Sequence, residues 1–99
     1  MSELTDETSP PLFALGRVVL TPGALIALTE SGADLSALLK RHQRGDWGDL
    51  DAHDRKVNAE ALRNGQRLLS AYTLPDGQTL WIITEADRTA TTALTPQEY

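Results

Sequence analysis

Apolar positions change their spacing twice along this chain. From Leu15 to Leu20 they form a short run with β-branched residues, which predicts a first strand. Thr21 then stands where an N-cap would, with Pro22 at the first helical position, where its missing N–H costs nothing. Leu25 and Leu28 mark one face of a short helix, and Gly32 is its stop. Asp34 caps a second helix, in which Leu35, Leu38, Leu39 and His42 recur at i, i+3, i+4 and i+7. Gly45 to Leu50 breaks that period. Asp51 and Asp54 reopen it as an N-cap and an N3 acid, so a third helix is expected to follow, with Val57, Ala61 and Leu62 inward and Asn64-Gly65 at its end.

From Arg67 onward the pattern is that of strands. Arg67 to Leu74 and Thr79 to Thr84 flank Pro75-Asp76-Gly77-Gln78, a hairpin turn. A symmetric hairpin sets Tyr72 near Trp81, Leu68 near Glu85, and Arg67 beside Glu85. Leu80-Trp81-Ile82-Ile83 is apolar on both faces, as in a central strand. Glu85 to Arg88 makes a turn, and Thr89 to Leu94 a final strand, half-exposed at Thr91 and Thr92, whose edge would suit a dimer. The expected fold is α+β: one domain, order β-α-α-α-β-β-β, an antiparallel sheet with helices packed on one face. Residues 1–11 are expected to be a flexible acidic leader and residues 12–99 the domain.

Composition sharpens this. Ninety-nine residues at 40% hydrophobic content suit one domain with a small core. No apolar run approaches the roughly 18 residues of a membrane span, and the acidic start does not resemble a secretory signal. The chain has no cysteine, which excludes disulfides, thiolate metal sites and cysteine nucleophiles and fits a cytoplasmic setting. Of the net charge of −5, Glu3, Asp6 and Glu7 of the leader supply three. The near-neutral remainder lacks the basic excess of phosphate binding, although Lys40, Arg41 and Arg44, with Arg55, Lys56 and Arg63, leave a local basic face open.

The densest chemistry lies in Gly45-Asp46-Trp47-Gly48-Asp49-Leu50-Asp51. Residues 49, 51, 53 and 60 imitate a calcium loop, but Asp54 stands where that loop requires glycine, and capping accounts for Asp51. His42 and His53 are too far apart for a zinc pair on one helix. His42 is expected at a helix end, where its charged form meets the dipole favourably, and His53 on the surface. No Gly-x-Ser-x-Gly elbow, Walker loop or dinucleotide motif is present. Trp47 either folds back over the core, the commoner fate of a large aromatic, or is displayed as a binding anchor. Glu85, Asp87 and Arg88, with Arg67 across the hairpin, form either a salt-bridged turn or a polar recognition patch.

The Gly45–Leu50 loop, Leu69-Ser70-Ala71-Tyr72, Trp81-Ile82-Ile83-Thr84-Glu85-Ala86-Asp87-Arg88, Thr91-Thr92 and Pro96-Gln97-Glu98-Tyr99 together resemble a family of small, uncharacterised bacterial proteins often carried on plasmids and other mobile elements. The resemblance spans residues 15–99. Members are sometimes labelled type I restriction methylation subunits. This chain has neither an adenosylmethionine pocket motif nor an Asn/Asp-Pro-Pro-aromatic motif, and it is too short for that catalytic domain.

The expected function is therefore a non-enzymatic, cytoplasmic protein-interaction or accessory factor of a mobile element, without cofactor or metal. The candidate binding residues are Asp46, Trp47, Asp49, Arg67, Glu85, Asp87 and Arg88. The alternatives are a small metal-dependent hydrolase built on Asp46, Asp49, Glu85, Asp87 and Arg88, and a nucleic-acid binder using the basic residues after Lys40.

Overall fold

The computed structural model describes residues 10–99; the rest of the proposed leader lies outside the described residues. The elements run β1 (Arg17–Leu20), α1 (Pro22–Ser31), α2 (Leu35–Gln43), α3 (Ala52–Asn64), β2 (Leu68–Thr73), β3 (Thr79–Thr84) and β4 (Ala90–Leu94), then a short 3-10 turn, Pro96–Glu98. The α+β class and the element order agree with the sequence pattern.

Local chemistry explains the helix ends. The side chain of Thr21 accepts from the Ala24 amide, that of Asp34 from Ser36, and that of Asp51 from Asp54. Each satisfies an N–H that has no partner within its own helix. Gly32 and Gly65 close α1 and α3 in the left-handed conformation.

The sheet order is β1-β4-β3-β2. Its strands are mixed in direction, which corrects the antiparallel expectation. Short turns force β2, β3 and β4 to alternate, whereas β1 is separated from them by three helices and returns parallel to β4. The final strand is consequently interior, and the sheet edges are β1 and β2. The hairpin register also differs by one residue from the symmetric expectation: Ala71 opposes Trp81, Tyr72 opposes Leu80, and Leu68 opposes Thr84. The turn closes with the Leu74 amide donating to the Gln78 carbonyl, which sets Thr73 opposite Thr79. A shift of one residue exchanges faces. Tyr72 is therefore buried under the helices, while Trp81 lies on the other face, with the Tyr99 ring edge-on at 5.4 Å.

Two clusters form the core. Ala24, Ala27 and Leu28 of α1 and Leu38 of α2 pack on Tyr72, Leu80, Ile82 and Ala93. Phe13, Trp47, Ala61 and Leu68 form the second. Of the expected inner face of α3, Ala61 is buried and Leu62 packs against the second cluster, but Val57 is exposed and its neighbour Asn58 is buried instead. It seats against β2 through polar chemistry, since the Asn58 amide accepts from the Leu69 N–H and donates to the Leu69 carbonyl.

Gly48 is where this arrangement is tightest. Its φ is +78°, and a Cβ there would stand 2.0 Å from the Ala71 carbonyl oxygen. A side chain would be excluded both by backbone strain and by contact with a strand. We expect Gly48→Ala to lower the unfolding free energy by about 3 kcal/mol or more, as measured by urea titration. Gly77→Ala, at a positive φ but in open space, should cost markedly less.

Candidate functional site

Trp47 is buried, 6% exposed, so the displayed reading does not hold. Its ring stacks on Phe13 at 6.3 Å and meets His42 edge-on at 5.7 Å. The loop that carries it runs along the outer edge of β2. The Trp47 carbonyl accepts from the Ala71 N–H, and the Asp49 N–H donates to the Ala71 carbonyl. One carboxylate oxygen of Asp49 accepts from the Thr73 amide and hydroxyl. With Asn58 on Leu69, the outward polar groups of β2 are occupied from residue 69 to residue 73. The loop thus closes an edge that would otherwise recruit another strand.

Asp46 holds the start of the loop. Its carboxylate takes two bonds from the Arg41 guanidinium, at 2.7 and 3.3 Å, and one from the Gly48 amide. The Arg41 hydrogen bond keeps the carboxyl below its usual range. The Asp46 carbonyl accepts from the Tyr72 hydroxyl, and burial pushes that phenol up to about 12. Arg41 also covers the Tyr72 ring at 4.6 Å, so this guanidinium is already engaged twice.

The Glu85–Arg88 turn is likewise internally bonded. Arg88, at φ +61°, donates from Nη1 to the carbonyls of Gln66 and Glu85 and lies over Phe13. Asp87 accepts from the Thr89 amide and hydroxyl. Glu85 contributes its backbone to Ala90 and Arg88. Arg67 turns to Tyr99, donating to its hydroxyl and stacking on its ring, and makes no ion pair with Glu85. Phe13 touches both Trp47 and Arg88, so the loop and the turn meet there. Their acids do not converge: among the described residues, no group of three histidine or acidic side chains could hold a metal ion.

The polar centre of the protein is one that residue spacing concealed. His42 is fully buried, not at a solvated helix end. Its Nδ1 lies 2.6 Å from Ser70 Oγ and its Nε2 2.9 Å from Thr84 Oγ1. Thr84 Oγ1 is 2.7 Å from Thr91 Oγ1, and Thr91 donates to the Leu15 carbonyl. The last bond determines all the others. Thr91 spends its hydrogen on Leu15, so it accepts from Thr84. Thr84 spends its own on Thr91, so it accepts from His42 Nε2–H. Nδ1 then accepts from Ser70. His42 is neutral, its affinity for a proton lowered to about 4 by burial and secondarily by Arg88. Every member lies inside the core, where no substrate reaches it, so this row of hydroxyls and imidazole is a structural tie.

The exposed apolar side chains concentrate elsewhere. Val18, Val19 and Leu20 of β1 and Leu25 and Ile26 of α1 are all at least a third exposed, with Leu25 at 58% and Ile26 at 56%. Helical spacing sets Leu25 inward beside Leu28 and gives no weight to Ile26. The sequence does carry a signal for both: residues 24–28 of α1 are apolar without interruption, which suits a helix covered on two sides. In comparisons with known proteins, the chain matches no family model, no curated protein and no solved structure.

Linkage gives the His42 tie a measurable signature. Its folded-state pKa lies below the ordinary 6.5, so the unfolded chain binds a proton first as pH falls. This contribution is complete above pH 6.5, declines by roughly 3 kcal/mol as pH falls to about 4, and falls no further below that. Urea titrations across this range should show the decline, and His42→Gln should remove it.

Proposed function

We propose that this protein is a protein-interaction module whose contact surface is the β1–α1 face. The carrying observation is that five apolar residues on two consecutive elements, Val18, Val19 and Leu20 of β1 and Leu25 and Ile26 of α1, are solvent-exposed. Singly scattered exposed apolar residues need no explanation, but five on two consecutive elements of a small domain do, Val18 and Leu20 on the helical side of the sheet and Val19 on the other. The polar constellations support the same reading. Asp46, Asp49, Asp87 and Arg88 are engaged in holding loops, and the His42 row is enclosed. An accessory role on a bacterial mobile element is supported by the resemblance carried by the tryptophan loop and the Thr84–Arg88 run. A cytoplasmic setting is part of the same proposal. Among the described residues no helix is long and apolar enough to cross a membrane.

A photo-crosslinking amino acid tests the surface directly. Placed at Val19 or Leu25 in cells carrying the protein, it should yield discrete adducts. Placed at the exposed Arg63 of α3, it should yield none of them. Equal labelling from all three positions would remove β1–α1 as the interface.

A further inference from the structure

The two edges of the sheet are treated oppositely. The β2 edge is occupied by Trp47, Asp49 and Asn58. The β1 edge has no such cover among the described residues. Arg17 and Thr21 donate to the carbonyls of Thr89 and Ala93 in and before β4. By the two-residue alternation of a strand, Val18 and Leu20 then turn their N–H and C=O groups outward. An uncovered edge carrying three consecutive apolar residues is a template for another strand. Resting on the reading of β1–α1 as an interface, we propose that its partner is a second copy of this chain, paired antiparallel through β1 about a two-fold axis at Val19.

The register follows from which groups are free. With Val19 on the axis, Val18 faces Leu20 of the second copy and Leu20 faces its Val18, so the two outward-turned residues exchange bonds. Centring on Leu20 would instead bring Pro22, which has no N–H, opposite Val18. The chosen register also places Arg17 opposite Thr21 of the second copy. The Thr21 hydroxyl donates to the Glu98 carboxylate at 2.5 Å, and the Gly23 amide donates to it at 2.9 Å. Those bonds, Thr21 foremost, together with one from the Thr95 amide, hold Glu98 down at about 2, so it is ionised. Each exposed Arg17 thereby meets a fixed negative charge across the axis, and the interface does so twice. The axis stands perpendicular to the sheet, which becomes eight-stranded with both helical layers on one face. The α1 helix then lies beside its copy, with Leu25 and Ile26 between them. Residues 1–9, MSELTDETS, contain only Met1 and Leu4 as apolar residues, so the leader's composition does not suit that face.

Light scattering on the intact chain should give a mass of twice 10.8 kDa that falls on dilution. Val19→Lys, which sets like charges against each other on the axis, should return the mass to that of one chain with an unchanged circular dichroism spectrum. Arg17→Glu should raise the dissociation constant by about tenfold or more, since it opposes Glu98 with a like charge. In unaltered protein, hydrogen exchange at the Val18 and Leu20 amides should slow as concentration rises, while Arg17 stays constant. A single-chain mass throughout the submillimolar range, or a dimer indifferent to both substitutions, overturns the proposal. If the chain is monomeric yet crosslinks from Val19 to a different protein, the interface stands and the second copy is wrong. If it neither dimerises nor crosslinks there, both readings fail.

Discussion

One neutral imidazole joins most of this structure. His42 enters the core from α2, accepts from Ser70 of β2 and donates to Thr84 of β3. The row continues through Thr91 of β4 to the backbone at Leu15, just before β1. A buried polar group left without a partner costs more than a satisfied one contributes, so the row specifies the arrangement as much as it stabilises it. If β2 slipped by one residue, Ser70 would leave the imidazole and Tyr72 would leave the helices. The aromatic rings of Phe13 and Trp47 pack around His42 at 5.1 and 5.7 Å and keep water from it.

The Trp47 loop depends on that centre and in turn protects the sheet. Its ring belongs to the core beside His42, while its backbone lies against β2. Asp46 and Asp49, which look like metal ligands in the sequence, serve this placement: one is pinned by Arg41, the other is spent on Thr73. The outcome is one sheet edge closed by the chain itself. β1 is apolar, and its edge has no such cover among the described residues; the proposed β1–α1 interface rests on that contrast. A domain that invests a loop and a buried asparagine in one edge has the means to cover an edge. Covering β1 by a partner solves the same hydrogen-bonding problem from outside.

Legibility differed by residue for physical reasons. Thr21, Asp34 and Asp51 were readable as caps because each acts on an amide two or three positions away. Trp47 was readable as a packing residue in outline, since burial is the usual fate of tryptophan. His42 was placed on the right helical stripe but in the wrong environment. Its partners are 28 and 42 residues distant, and nothing local signals them. Val57 was assigned inward by helical spacing, yet Asn58 faces β2 because that edge needs hydrogen bonds more than methyl groups. The direction of β1 was equally hidden, since three intervening helices allow either sense of return.

The sequence by itself determined where the helices begin and end, the strands to within two residues, the α+β class and the order of its elements. Those follow from periodicity and from hydrogen bonds that span a few residues. Only the tertiary structure decided the mixed sheet, the hairpin register, the neutral state of His42 and the use of Asp46 and Asp49 as struts. It also decided which apolar residues stay outside. Val18, Leu20 and Leu25 have the same chemistry as Ile82, Leu80 and Leu28, and only the number of layers that arrive to cover them tells the two sets apart.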